Sequence, residues 1–152
     1  MVTAAQPERG AVIHSLHIEK SMEVQAPLAV TWKAVLDEMG PAGEMPGGVP
    51  FPMVLEAWPG GRWYRDLGDN AGHLWGHVQV IKPPKLLEIT GPLFMSYPAI
   101  SHVQYRLTEF GGGTRVDLVH RAIGEIQQDH LEGVSEGWEY SLARVRQLAG
   151  QR

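Results

Sequence analysis

From about residue 51 to 122 the chain offers only short strand-like stretches divided by turn residues, and it then closes on one long helical stripe. FPMVLEAW is followed by PGG, RWYRDL by GDNAG, HLWGHVQVI by KPP, and LLEIT by GPLFMSYPA. SHVQYRLTEF and TRVDLVHRAI are joined by GGG, a hairpin connection in which the three glycines are expected to supply positive φ. No helix with a lysine follows a strand there, so the glycines do not read as a phosphate loop. Alternation bounded by Gly, Pro, Asn and Asp is the pattern of half-buried strands. After it, Leu131, Val134, Trp138, Leu142, Val145 and Leu148 fall three and four apart, which predicts a helix over 129–149. Asp129 and Glu132 have the spacing of a capping box at its start.

The first third supplies one more strand and one more helix. Leu16, Ile18, Met22 and Val24 share one parity within 13–24, which predicts a strand with one wet face. Leu28, Trp32, Val35 and Met39 then switch to helical spacing over 26–39, with Pro27 where a first turn tolerates it. GPAGEMPGGVP at 40–50 is too rich in Gly and Pro for more than a loop with one short helical turn. The resulting order, β-α-β-β-β-β-β-β-α, predicts an α+β fold with one antiparallel sheet and a long C-terminal helix on one face. Residues 1–152 read as a single domain behind a loose N-terminal tail at 1–11.

Composition removes several classes of function. The net charge is −4 and there is no run of Lys or Arg, so neither nucleic acid nor a membrane is the expected partner. With no cysteine, disulfides, thiolate metal ligands and a cysteine nucleophile are excluded. MVTAAQPERGAV lacks the basic and apolar regions of a signal peptide, and no apolar run approaches the roughly 20 residues that cross a bilayer. A cytoplasmic protein is the expectation.

The pieces VQAPLAVTWKAVLD, PGGRW, GHVQVIKPPKLLEIT, GGGTRVDLVHRAIG and EGWEYSLARVRQLA occur in this order between about 18 and 149. In these the chain resembles the START-like, or SRPBCC, superfamily, and within it the branch named for the activator of the Hsp90 chaperone ATPase. The pieces are turn and packing motifs, not catalytic signatures. The resemblance implies a helix-grip fold: a curved seven-stranded antiparallel sheet wrapped around the last helix, with a deep cavity between them. Members include lipid and hormone binders, polyketide cyclases, self-sacrificing resistance proteins and co-chaperones. One departure is the strand at 85–91, which ends in ITGP where relatives often place an aromatic after the threonine.

Side-chain parity then selects the residues that face such a cavity. Taking the apolar parity as inward gives a mostly oily lining, to which HLWGHVQV contributes Leu74, Gly76, Val78 and Val80, and the third strand Trp63, Arg65 and Leu67. Its polar interruptions are Lys20, Arg65, Tyr105 and His120. Together with Trp63, and with Trp138 and Ser141 from the last helix, they form the candidate ligand-binding set. His120 can donate to a ligand oxygen, act as a base, or be a core histidine satisfied by Tyr105, Ser141 or backbone. Arg65 and Lys20 can meet a carboxylate or ketone, or snorkel to solvent. Trp138 suits either a stacked ligand or plain core. Gly133, Gly137 and Ser141 make a narrow seam along the last helix where a sheet or ligand can approach.

His73 and His77 flank Trp75 at a spacing that would share a metal on a helix, but in a strand four residues span roughly 13 Å. No cofactor is expected, and a metal shared by the two histidines is excluded unless the chain bulges at Gly76. The outward row His73, Trp75, His77 offers a surface for a homodimer. The function read from these residues is binding of a small, mostly hydrophobic molecule between sheet and last helix. A cyclase- or hydrolase-type enzyme acting through His120, Tyr105 and Arg65, and a chaperone-associated protein, remain as alternatives.

Overall fold

A computed structural model describes residues 10–151; of the tail expected at 1–11, the first nine residues lie outside the described ones. Strand β1 spans His14–Val24, helix α1 Leu28–Met39, and the two-residue strands β2 and β3 cover Glu44–Met45 and Val49–Pro50. Strands β4 (Val54–Leu55), β5 (Arg62–Gly68), β6 (Ala71–Lys82), β7 (Leu86–Gly91), β8 (Ala99–Phe110) and β9 (Gly113–Gly124) follow, and helix α2 (Gln128–Gly150) ends the described chain. Seven strands form one antiparallel sheet in the order β1-β9-β8-β7-β6-β5-β4, while β2 and β3 pair only with each other. This is the helix-grip arrangement: the sheet meanders, β1 returns to pair with β9, and α2 lies against the inner face.

One hydrophobic core runs from β1 through α1 and the sheet to α2. Under β8 and β9, Val103, Tyr105, Leu107, Val116, Leu118 and His120 are all shut off from solvent. Helix α1 ends where Trp63 Nε1 donates to Met39 O at 2.7 Å, satisfying a carbonyl that the helix itself leaves open. The predicted capping box on α2 does not form. The helix begins one residue earlier, with Gln127 at the N-cap and no side-chain bond there, and Asp129 is simply an acid in the first turn. In the β8–β9 turn two glycines, Gly111 and Gly112, have positive φ. The third is needed for space instead, since a Cβ on Gly113 would stand 2.4 Å from Val24 O.

Strand β6 departs most from simple alternation. Its register with β5 runs Trp63↔Gly76 and then Tyr64↔Leu74, so Trp75 is an extra, bulged residue. A second shift against β7, from Val78↔Ile89 to Val80↔Glu88, leaves Gln79 unpaired. Each bulge reverses the parity beyond it. Gly76 and Val78 face inward as expected, but Leu74 pairs with outward Tyr64 and is exposed, while Trp75 packs against the core. Val80 stands opposite Glu88 on the outer face, and Leu67, at the hairpin end, is exposed as well.

The first bulge also explains the missing aromatic after Thr90. A Cβ on Gly91 would lie 2.3 Å from Trp75 O and 2.4 Å from Gly76 Cα. Leu93 N–H donates to Trp75 O at 2.8 Å, so the bulged backbone itself fills the space.

Candidate ligand-binding site

Between α2 and the β4–β6 side of the sheet lies a cavity of about 410 Å³. Its rear wall is aromatic: Phe51, Trp63, Trp75, Phe94 and Trp138. Trp75 is the hub, with ring centres 5.1 Å from Trp63, 5.8 Å from Phe94 and 5.9 Å from Phe51. Without the bulge it would point out of the sheet, so the same irregularity that broke the parity builds the wall.

On α2 the cavity is bordered by Asp129, His130, Gly133, Val134, Gly137, Trp138, Tyr140 and Ser141. An added Cβ on Gly133 or Gly137 would meet nothing within 4 Å. The expected glycine seam is real, and it opens onto the cavity rather than letting the sheet approach.

The polar end is built on Glu38 of α1. This side chain is 8% exposed, and Ser141 Oγ donates to its Oε2 at 2.6 Å. Oε1 accepts no hydrogen bond among the described residues. Burial raises the Glu38 carboxyl to about 7, against the Ser141 hydrogen bond and the Arg144 charge that lower it, with the Glu44 charge adding to the rise. Behind it the Tyr105 hydroxyl is buried and without a hydrogen bond among the described residues. Burial and then the Glu38 charge push that phenol far above its usual range, with Ser141 opposing.

Across the cavity mouth, Glu44 of β2 takes a hydrogen bond from Tyr140 at 2.9 Å and an ion pair from Arg144 at 3.4 Å. Arg144 also donates to Ala42 O at 3.0 Å, so α2 holds the start of the β2–β3 segment at two points.

At the other end stands His130. Gln127 N–H donates to the Tyr97 hydroxyl at 3.4 Å, and that hydroxyl lies 2.6 Å from His130 Nδ1.

Of the seven residues selected from sequence, Trp63, Trp138 and Ser141 line this cavity. His120 does not. It is fully buried, accepts from Trp138 Nε1 at its Nδ1 (2.9 Å), and meets Ser101 Oγ through Nε2 at 3.0 Å. Burial lowers its pKa to about 4, so the ring is neutral at neutral pH. Its register partner is Val103, not Tyr105, and the expected ties to Tyr105 or Ser141 are replaced by Trp138 and Ser101. Tyr105 stands behind the wall, its ring edge-on to Trp138. Lys20 is turned to an ion pair with Glu139 at 2.7 Å. Arg65 lies over the Phe51 ring, 4.2 Å from its centre, and donates to Pro52 O.

His73 shares the inward parity of Trp75, its ring 6.3 Å away, whereas His77 pairs with Arg62 and is exposed. The bulge thus puts on opposite faces two histidines that an unbroken strand would place on the same one, and among the described residues no group of three His, Asp or Glu is placed to hold a metal. The outward row His73, Trp75, His77 does not exist, which removes the surface on which a homodimer was expected.

Sequence reasoning missed Glu38, Glu44, Tyr140 and His130. A signal existed for Glu38, which falls three residues after Val35 on the buried face of α1. Nothing in the sequence pointed to the Glu44 clasp, because β2 and β3 lie where only loop was legible.

Comparison with known proteins agrees with this architecture. The model of the activator of Hsp90 ATPase homolog 1-like proteins matches residues 50–150. The chain belongs to that family. A solved protein of Rhizobium leguminosarum is 15% identical over 95% of this chain and 100% of its own, with a TM-score of 0.74. A Chromobacterium violaceum protein is 19% identical over 88% and 96%, at a TM-score of 0.68. CalU16 from Micromonospora echinospora is 22% identical over 93% and 87%, at 0.63. At these identities the three share the fold. No curated protein matches significantly. The family's fold generally holds hydrophobic ligands. Among the described residues no helix is long and apolar enough to cross a membrane.

Proposed function

We propose that this family member binds a small, mostly hydrophobic molecule in the aromatic cavity between α2 and the β4–β6 side of the sheet. The observation that carries the reading is the glycine seam. Gly133 and Gly137 each cost about 1 kcal/mol relative to alanine within a helix, and no neighbour requires their smallness. A helix that keeps them gives up stability for empty space. The volume, about 410 Å³, falls in the roughly 300–1,000 Å³ range of small-molecule sites. The tryptophans of the wall supply flat, apolar contact with few rotamers to freeze.

The enzyme reading loses its trio. Arg65 is committed to Phe51 and Pro52, Tyr105 is sealed behind the wall, and both nitrogens of His120 are engaged.

The test compares wild type with Gly137→Leu, whose side chain projects into the cavity. Native mass spectrometry of freshly purified protein, and intrinsic tryptophan fluorescence titrated with naphthalene derivatives, are expected to show bound molecules only in wild type. A folded Gly137→Leu protein that binds as well as wild type would place the ligand elsewhere and sink the reading.

A further inference from the structure

The walls carry a charge pattern that a merely oily pocket does not need. Three carboxylates border the cavity, those of Glu38, Glu44 and Asp129, and no lysine or arginine is among its lining residues. Arg144 is the nearest cation on α2, and Glu44 already offsets it. Lys20 and Arg65, the two cations that sequence parity had offered to an acidic ligand, are held by Glu139 and by Pro52 O.

Glu38 is the deepest of the three acids. Ser141 occupies one of its oxygens, while among the described residues nothing bonds the other, nor the buried hydroxyl of Tyr105 beside it. Five aromatic rings, those of Phe51, Trp63, Trp75, Phe94 and Trp138, join Met39, Met53 and Val134 in the apolar wall, and aromatic faces attract cations.

Building on the binding reading, we infer that the ligand is an aromatic or alicyclic molecule bearing a basic amine, whose ammonium group is received by Glu38 while its apolar body fills the tryptophan-lined cavity. Carboxylate-bearing and phosphate-bearing molecules, fatty acids included, are disfavoured at this site. The groups facing Glu38 are Ser141 and Arg144 from α2, Tyr105 from β8 and Glu44 from β2. Among them only Arg144 is cationic. An incoming ammonium therefore acts chiefly on a carboxyl that the empty cavity leaves half protonated near neutral pH. Binding drives that proton off, since the ammonium stabilises the charged form.

Three probes with one ring system separate the possibilities: 1-naphthylmethylamine, 1-naphthalenemethanol and 1-naphthoic acid, each titrated calorimetrically into the full chain at pH 7. The amine is expected to bind at least about tenfold tighter than the alcohol, and the acid weakest, as Coulomb attraction across a partly buried site requires. Repeating the amine titration in buffers of different ionisation enthalpy is expected to show roughly half a proton released per ligand. Glu38→Gln, which keeps the shape and can still accept from Ser141, is expected to erase both the amine preference and the proton release while binding the alcohol as before. Should amine and alcohol bind alike in wild type, or the acid bind best, the amine assignment falls and the binding reading stands. Should none of the three bind, both fall. Wild-type titrations alone decide these outcomes even if Glu38→Gln proves unstable.

Discussion

Two buried titratable groups, His120 and Glu38, sit on either side of Trp138 and Ser141 and have opposite fates. His120 lies under the closed half of the sheet, β1, β9 and β8, where strand pairing is regular and α2 packs down directly. Both of its nitrogens find partners, and the ring becomes part of the core. Glu38 faces the half built from β4 to β6, where the cavity separates the sheet from α2. One of its oxygens is bonded and the other is left over beside empty space. Burial alone thus does not mark a functional residue. What distinguishes the two is whether the hydrogen-bonding capacity is used up.

The largest effect expected from this contrast is on stability at His120. Replacing it by alanine leaves a void and strips the buried Trp138 N–H of its acceptor, a loss of about 3 kcal/mol in denaturant melts. Binding by the fraction that remains folded should be unchanged. If His120→Ala keeps its stability and loses its ligand, the contrast is wrong.

Next comes the bulge. Gly91→Ala forces a methyl against the Trp75 carbonyl and Gly76, and overpacking of this kind costs about 2 kcal/mol. Because Trp75 must then shift, binding is expected to weaken as well, which a substitution in the closed half would not do. A Gly91→Ala protein that melts and binds as wild type would mean that the bulge is dispensable.

The two groups also predict opposite pH limbs. Glu38 has its folded pKa raised from 4.5 to about 7. Its contribution to stability is therefore intact below 4.5 and is lost as pH rises through 7. His120 has its folded pKa lowered from 6.5 to about 4, so its contribution is intact above 6.5 and is lost as pH falls toward 4. At roughly 1.4 kcal/mol per pKa unit, Glu38→Gln should be more stable than wild type by about 1–3 kcal/mol at pH 8, with the gap closing by pH 5. Urea midpoints across this range would show it. A gap that widens toward acid would reverse the assignment.

The smallest change is Gly133→Ala, expected to raise stability by up to about 1 kcal/mol on helix propensity, as the added methyl meets open space. It should cost some affinity for the naphthalene probes, since the methyl projects toward the ligand. A stabilised variant with undiminished affinity would separate the seam from the site.

The architecture was legible because strand alternation and a helical stripe are local patterns. Val103, Leu107, Val116 and Leu118 are buried where their parity puts them, and α2 buries Val134, Trp138, Leu142 and Val145 from the predicted stripe. Reading failed at β6, where parity assumes an unbroken pleat. One inserted residue sent Leu74 out and brought Trp75 in, and a second did the same to Val80 and Ile81. The sequence carried a trace of the first bulge in Gly76 and Gly91, but their complementarity lies across two strands and appears only once these pair.

By itself, then, the sequence determined the class of fold, the order of elements, the apolar faces and the seam on the last helix. These follow from periodicity and from the cost of burying polar backbone. Which polar groups would meet across the cavity was decided only by the tertiary structure. Ser141 reaches Glu38 over 103 positions of chain, and Tyr140 reaches Glu44 over 96. Such pairings join α2 to α1 and to β2, elements far apart in sequence that meet only when the chain packs.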